Sequence, residues 1–203
     1  MSKLPTVAII GQANVGKSSL FNRLTRSRTA IVAREAGTTR DNVVGKVSYK
    51  RRNVDSTPSD DYSQFWLIDT AGLKTAEDEF EATIQDQIAD ASAAADVILV
   101  TVDSTVYPSD ADRQLAKKAL KSGKPVILIA NKADLKGSLS IDEFKRLGIK
   151  NIIKTSAEHS IGISELLDSI AELIPPATET APDDIIRVAL IGRPNVGKSN
   201  LFN

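Results

Sequence analysis

Short apolar runs alternate along this chain with longer amphipathic stretches, the pattern of β-α-β units and a mostly parallel sheet. The strands it predicts are Thr6–Ile10, Val43–Lys50, Gln64–Asp69, Asp96–Asp103, Pro125–Asn131 and Asn151–Thr155. The helices are Gly16–Thr25, Phe80–Ala94, Asp110–Lys121, Ile141–Leu147 and Ile163–Ile174. Val97–Val102, with Thr101 its one polar residue, and Val126–Ala130 read as apolar runs, as central strands covered on both faces should be. Ser109-Asp110 offers a helix cap, and Gly123 follows the last turn of that helix. Arg51–Ser63 is polar, holds a proline and has no apolar period, so it reads as the long tip of an antiparallel hairpin. Residues 175–184, rich in proline and acid, read as an extended linker. The expected organisation is one domain over 1–174, the linker 175–184, and the start of a second domain over 185–203.

That last division rests on a repeat. Gly11-Gln-Ala-Asn-Val-Gly16-Lys17-Ser18 returns as Gly192-Arg-Pro-Asn-Val-Gly197-Lys198-Ser199, 192 − 11 = 181 positions later. Val7–Asn22 and Val188–Asn203 share 12 identities in 16 positions. Both copies fit G-x-x-x-x-G-K-[ST], follow an apolar run and open a helix-like segment. Glycines in this motif let backbone N–H groups wrap a phosphate; the lysine reaches the β- and γ-phosphates and the serine hydroxyl ligates Mg²⁺. The second copy lacks the base-reading and switch segments that follow the first, so it is expected to hold no nucleotide usefully. Its strand, Ile185–Ile191, has no sheet of its own and is an association hazard for an otherwise monomeric chain.

Four further segments narrow the chemistry. Asp69-Thr70-Ala71-Gly72 ends an apolar strand, where an aspartate can hold Mg²⁺ through water and a glycine N–H can meet a γ-phosphate. Asn131-Lys132-Ala133-Asp134 ends another. A carboxylate there accepts two hydrogen bonds from guanine that adenine cannot offer. Ser156-Ala157-Glu158 follows the last strand, where a backbone N–H can reach the guanine O6. Thr38-Thr39-Arg40 lies between the first helix and the second strand, the place for a Mg²⁺-ligating switch threonine.

This order of motifs, with its doubled GxxNVGKS, resembles the Der/EngA (double Era-like) family of ribosome-assembly GTPases. The resemblance covers 1–174 as the first GTPase domain and 185–203 as the opening of the second. It implies a three-layer α/β P-loop NTPase fold of the Ras-like and Era-like kind. The sheet would be mostly parallel and six-stranded, with helices on both faces. It implies a switch that binds GTP or GDP and hydrolyses GTP. Gly11, Lys17 and the backbone of Asn14, Val15, Gly16, Ser18 and Ser19 would hold the phosphates. Ser18, Thr39 and Asp69 would serve Mg²⁺, Thr39 being preferred to Thr38 because it directly precedes Arg-Asp. Gly72 would sense the γ-phosphate. Asn131 and Asp134 would read guanine, Lys132 would pack on its ring, and Ser156 and Ala157 would contribute the base-reading loop. In related GTPases an asparagine at the position of Asn14 helps to bind K⁺ beside the phosphates. A cation there offsets charge in the transition state. Leu73 stands where Ras-like proteins place a water-orienting glutamine, so intrinsic hydrolysis would be slow. The implied partner is the large ribosomal subunit and its rRNA, in the cytoplasm, with no membrane and no DNA. Two alternatives stay open: an Era-like or tRNA-modification-type GTPase with another client, and a GTP-binding module with negligible turnover.

Composition adds limits. With 41% hydrophobic and 26% charged residues among 203, the chain can bury a core, and with no cysteine it forms no disulfide. No segment approaches the ~18 apolar residues of a membrane helix. The net charge of zero hides an asymmetry: residues 1–54 hold 11 Lys/Arg against 2 Asp/Glu, or +9, leaving −9 for the rest. That basic set reads either as an RNA-facing surface or as solvated faces offset elsewhere. Arg40 reads as a phosphate contact or as a partner of Asp41. His159 reads as a loop residue rather than a catalytic base, Trp66 as core or sheet surface, Lys150 and Lys154 as solvated, and Asp103 as a turn cap.

Overall fold

The computed structural model describes residues 4–26, 32–34, 43–52, 58–69 and 95–174. The expected helix Phe80–Ala94, the Thr38–Arg40 segment, Gly72, Leu73, the linker and residues 185–203 lie outside the described residues.

Strands β1 (Thr6–Gly11), β2 (Val32–Arg34), β3 (Val43–Arg52), β4 (Pro58–Asp69), β5 (Val97–Asp103), β6 (Val126–Asn131) and β7 (Asn151–Lys154) form one sheet. Its order is β2-β3-β4-β1-β5-β6-β7. The pairs among β4, β1, β5, β6 and β7 are parallel, while β3 runs antiparallel to both β2 and β4. The helices are α1 (Lys17–Arg26), α2 (Asp110–Lys121), α3 (Ile141–Phe144), which continues as a tighter turn over Lys145–Leu147, and α4 (Ile163–Leu173).

Alternation along the central strands divides the core into two layers. Val7, Ile9, Val97, Leu99, Ile127 and Ile129 face Leu20, Phe21 and Leu24 of α1 and Ile163, Leu166, Leu167 and Ile170 of α4. Ala8, Ile10, Ile98, Val100, Leu128 and Ala130 face Leu115, Ala116 and Ala119 of α2, with Phe144 and Leu147. These strands are apolar at nearly every position because both faces are covered. Each fully buried Leu or Ile contributes about 1.5–3 kcal/mol. Helix α2 starts in a complete capping box: the Ser109 side chain accepts from the Asp112 N–H, and Asp112 accepts from the Ser109 N–H.

Two expectations need correction. The sheet has a seventh strand, the three-residue edge strand β2, too short to leave a period in the sequence. The hairpin tip is also narrower than expected. Pairing of β3 with β4 continues through Tyr49↔Ser63 and Lys50↔Tyr62 to Arg52↔Pro58, with a register shift between Lys50 and Arg52. Main-chain bonds carry this ladder, so its polar sequence is no obstacle. Pro58 stands at the first residue of its strand, where a missing N–H is tolerated.

Candidate functional site

All the described motifs meet at the carboxyl ends of the parallel strands, where doubly wound sheets bind their ligands. The loop from Gly11 to Gly16 leaves β1 and enters α1, whose first turn holds no acidic residue and so leaves its N–H groups and positive dipole end open to an anion. The backbone here is tightly confined. A Cβ on Gly11 would strike the Thr101 carbonyl, and one on Gly16 would strike the Asn131 amide; Gly16 also has φ of 92°. Asn14 is exposed and left-handed, with φ of 62°, while Val15 is buried and Ser18 and Ser19 are exposed.

Lys17 is only 7% exposed, and its Nζ donates to the Gln12 carbonyl at 2.5 Å. Burial pushes its pKa below the ordinary lysine value, and the charge of Asp69 acts in the opposite direction. The Ser18 hydroxyl donates to Asp69 Oδ2 at 3.0 Å, so two of the three residues expected to serve Mg²⁺ stand together. Paired hydroxyl and carboxylate oxygens are the hard donors that ion prefers. Thr39, the third, lies outside the described residues.

The sequence gives no sign that Gln12 anchors this loop. Its Nε2 donates to Ser109 Oγ and to Asp112 Oδ1, both at 2.7 Å, and so joins the phosphate loop to the capping box of α2.

Asn131 forms the other half of the site. It is 2% exposed, and its Nδ2 donates to the Val15 carbonyl at 3.0 Å. Its Oδ1 accepts from Thr155 Oγ1 at 3.1 Å and from the Ala157 N–H at 3.2 Å. One amide thus holds together the phosphate loop, the end of β7 and the Ser156-Ala157 loop. Lys132 is left-handed, with φ of 66°, and its Nζ lies 2.6 Å from Asp103 Oδ2. Asp103 also accepts from the Thr105 N–H and hydroxyl, so it both caps its turn and holds Lys132. Burial alone would raise the Asp103 carboxyl, but the bonds from Lys132 and Thr105 hold it below the usual carboxylate range.

A hydrogen bond from Ser156 likewise holds the Asp134 carboxyl below its ordinary value, against the opposing effect of burial. At neutral pH it is therefore a charged double acceptor, as guanine reading requires. His159 is exposed; its N–H donates to Ser156 Oγ at 3.1 Å, and its Nε2 lies 3.6 Å from Asp134 Oδ2. It is a loop residue beside Asp134 and Ser156. Trp66 is half-buried on β4. Lys154 corrects the expectation of a solvated side chain: its Nζ donates to the Leu139 carbonyl at 2.8 Å.

A second residue that no motif marks is Arg23 of α1. Its guanidinium donates to the Ala157 carbonyl at 2.6 Å and to the Glu158 carbonyl at 2.5 Å. The signal available in the sequence was only its place two turns after the phosphate loop.

Comparison with known proteins adds the following. A family model described as "50S ribosome-binding GTPase" matches residues 6–132. The chain is 41% identical to GTPase Der of Gemmatimonas aurantiaca over 203 residues, covering 98% of this chain and 43% of that protein. It is 39% identical to GTPase Der of Lactococcus lactis subsp. cremoris over 201 residues, covering 98% and 44%. It therefore spans less than half the length of these curated relatives. Among solved structures it is similar to a variant of Era from Aquifex aeolicus bound to GDP and AlF4⁻, with a TM-score of 0.64 and 29% identity over 93% of this chain and 63% of that one. It is also similar to Era in complex with MgGDPNP and nucleotides 1506–1542 of 16S ribosomal RNA, with a TM-score of 0.63 and 27% identity over 91% and 61%.

Proposed function

Because this chain belongs to the 50S ribosome-binding GTPase family, and within it to the Der GTPases, we propose that it is a GTP-hydrolysing switch acting in assembly of the large ribosomal subunit. The observation that carries this reading is the Asn131 amide, which ties the phosphate loop at Val15 to the base-reading loop at Ala157. One buried side chain thereby sets the distance between a site for phosphates and a site for guanine.

In this reading the N–H groups from Asn14 to Ser19 enclose the β-phosphate at the amino end of α1, and Gly11 lets the loop pass close to β5. Lys17 leaves the Gln12 carbonyl for the β- and γ-phosphates. Ser18, Asp69 and Thr39 would hold Mg²⁺, which would supply charge neutralisation to the phosphate oxygens. Asp134 accepts from the N1–H and exocyclic amine of guanine, Lys132 lies along the ring, and a backbone N–H of the Ser156-Ala157-Glu158 segment donates to O6. Gly72 contacts the γ-phosphate. GTP orders the segments around Thr39 and Gly72, and hydrolysis releases them. The reaction is attack of water on the γ-phosphorus, with loss of the bond to the β,γ-bridging oxygen and departure of GDP and phosphate.

Asn14 supplies a side-chain oxygen on an exposed, left-handed residue beside the phosphates and helps to bind K⁺ there. Leu73 cannot orient the attacking water, and a cation held by Asn14 would instead offset charge developing in the transition state. The ribosomal client is supported by the family and by the +9 excess in residues 1–54 (11 Lys/Arg less 2 Asp/Glu), which suits an RNA surface. The cytoplasm is the matching compartment, and no helix among the described residues is long and apolar enough to cross a membrane. Residues 175–184 serve as a linker, and 185–203 begin a second domain of the same kind.

The test is GTP turnover at matched ionic strength in KCl and in NaCl, for the wild type and Asn14→Ala. Turnover stimulated by K⁺ in the wild type and insensitive to the cation in the variant is the expected result. Equal rates in both salts refute the role of the cation, and GTP bound without turnover in either refutes autonomous hydrolysis.

A further inference from the structure

Arg23 has no place in the phosphate or base motifs, yet it makes two charge-assisted bonds to a loop 134 and 135 residues away. Both acceptors are carbonyls of the segment that reads O6. The guanidinium is a rigid fork, so two bonds fix the direction of the peptide units as well as their distance. A trans peptide places its C=O and the following N–H on opposite sides. Holding the Ala157 carbonyl toward α1 therefore turns the Glu158 N–H away from α1, and holding the Glu158 carbonyl does the same for the His159 N–H. The latter is retained by Ser156 Oγ at 3.1 Å, and the Ala157 N–H is engaged by Asn131. The Glu158 N–H is the donor that Arg23 leaves directed outward.

The connection also closes a ring through the site. Val15 is held by Asn131, Asn131 by Ala157, Ala157 by Arg23, and Arg23 rides on the helix that begins at Lys17. The phosphate helix and the base-reading loop are thus joined twice, once through β6 and once directly.

We propose that Arg23 is a specificity-positioning residue: it aims the Ala157–Glu158 peptide at the purine 6-position and so lets the site favour a 6-oxo group. This rests on the guanine-nucleotide reading above. The test compares affinities of wild type and Arg23→Ala for GDP, for 6-thio-GDP, whose sulfur is a poor acceptor, and for IDP, which keeps O6 but lacks the exocyclic amine.

Arg23→Ala is expected to weaken GDP by about tenfold, the scale of one well-aimed hydrogen bond. The preference for GDP over 6-thio-GDP should fall nearly to unity, while the preference for GDP over IDP, which Asp134 sets, stays at the wild-type value. A uniform loss across all three nucleotides, or no loss, overturns the proposal, because general loosening of the loop cannot single out the 6-position. Should Arg23→Ala fail to fold, Arg23→Lys carries the test: one compact donor in place of the fork must lower the 6-thio discrimination partway, and wild-type discrimination in that variant overturns the proposal. A wild-type chain that bound none of the three would overturn the nucleotide reading itself.

Discussion

Replacing Asn131 by alanine should unsettle the protein even without nucleotide. The side chain is 2% exposed and takes part in three hydrogen bonds, to Val15, Thr155 and Ala157. At about 1 kcal/mol net for each, their removal costs about 3 kcal/mol. The partners left behind are two backbone groups and a buried hydroxyl, so the cost rises unless water enters the space. For a chain of this size, 3 kcal/mol corresponds to about 6–12 °C in Tm. The assay is urea and thermal unfolding of the nucleotide-free protein, followed by GDP titration. Asn131→Asp sharpens it, since that change keeps the acceptor and the volume, loses the donor to Val15, and sets a carboxylate against a carbonyl. It should be at least as destabilising as alanine. If Asn131→Ala instead unfolds within about 0.5 kcal/mol of the wild type, the range of an ordinary surface change, while still losing GDP, the strut argument fails. Asn131 would then act on the nucleotide alone.

Two other perturbations follow from the same geometry. Lys17 is buried and its pKa is lowered, so below the ordinary value of 10.5 the unfolded chain binds more protons than the folded one, and stability rises as pH climbs through that window. Lys17→Met should flatten this alkaline slope, leave the nucleotide-free protein at least as stable at pH 7, and abolish GTP binding; identical slopes in the two proteins refute the assignment. Gln12→Ala removes both bonds between the phosphate loop and the α2 cap. It should cost about 1–2 kcal/mol and speed GDP release, and an unchanged release rate in stopped-flow would show that the brace does not restrain the loop.

How much of this was legible in the sequence depends on how local the cause is. The central strands were readable because burial on both faces favours long apolar runs, as in Val97–Val100 and Val126–Ala130. The start of α2 was readable because Ser109 and Asp112 satisfy one another within a single turn. Strand β2 was not, since a three-residue edge strand is held by its partner β3 and carries no period of its own. The outer hairpin was missed for a related reason: Lys50↔Tyr62 and Arg52↔Pro58 pair through main chain, which binary patterning does not register. The segments that meet at the carboxyl ends of the strands, Gly11–Ser18, Asn131–Asp134 and Ser156–Glu158, were visible as motifs because each sits within a few consecutive residues. Gln12 and Arg23 were invisible because their partners lie 97 to 135 positions away, and no spacing rule connects them.

The same contacts imply a division of labour between the two ends of the site. At the proposed base end, Asn131, Thr155, Ala157 and Arg23 are already bonded to one another, so a guanine bound there would meet donors and acceptors whose ordering cost is met by the fold. At the proposed phosphate end Lys17 would exchange the Gln12 carbonyl for phosphate oxygens. That exchange replaces a neutral acceptor with a charged one, a gain of about 1 kcal/mol for the bond itself. A phosphate beside Lys17 also favours its protonated form, against the burial that lowers its pKa. Phosphate binding should therefore take up a fraction of a proton at alkaline pH, whereas guanosine alone, engaging only the base end, should not. Proton uptake measured by calorimetry in buffers of different ionisation enthalpy separates the two. Equal uptake by GDP and guanosine would place the linked proton at the base end and contradict the assignment to Lys17.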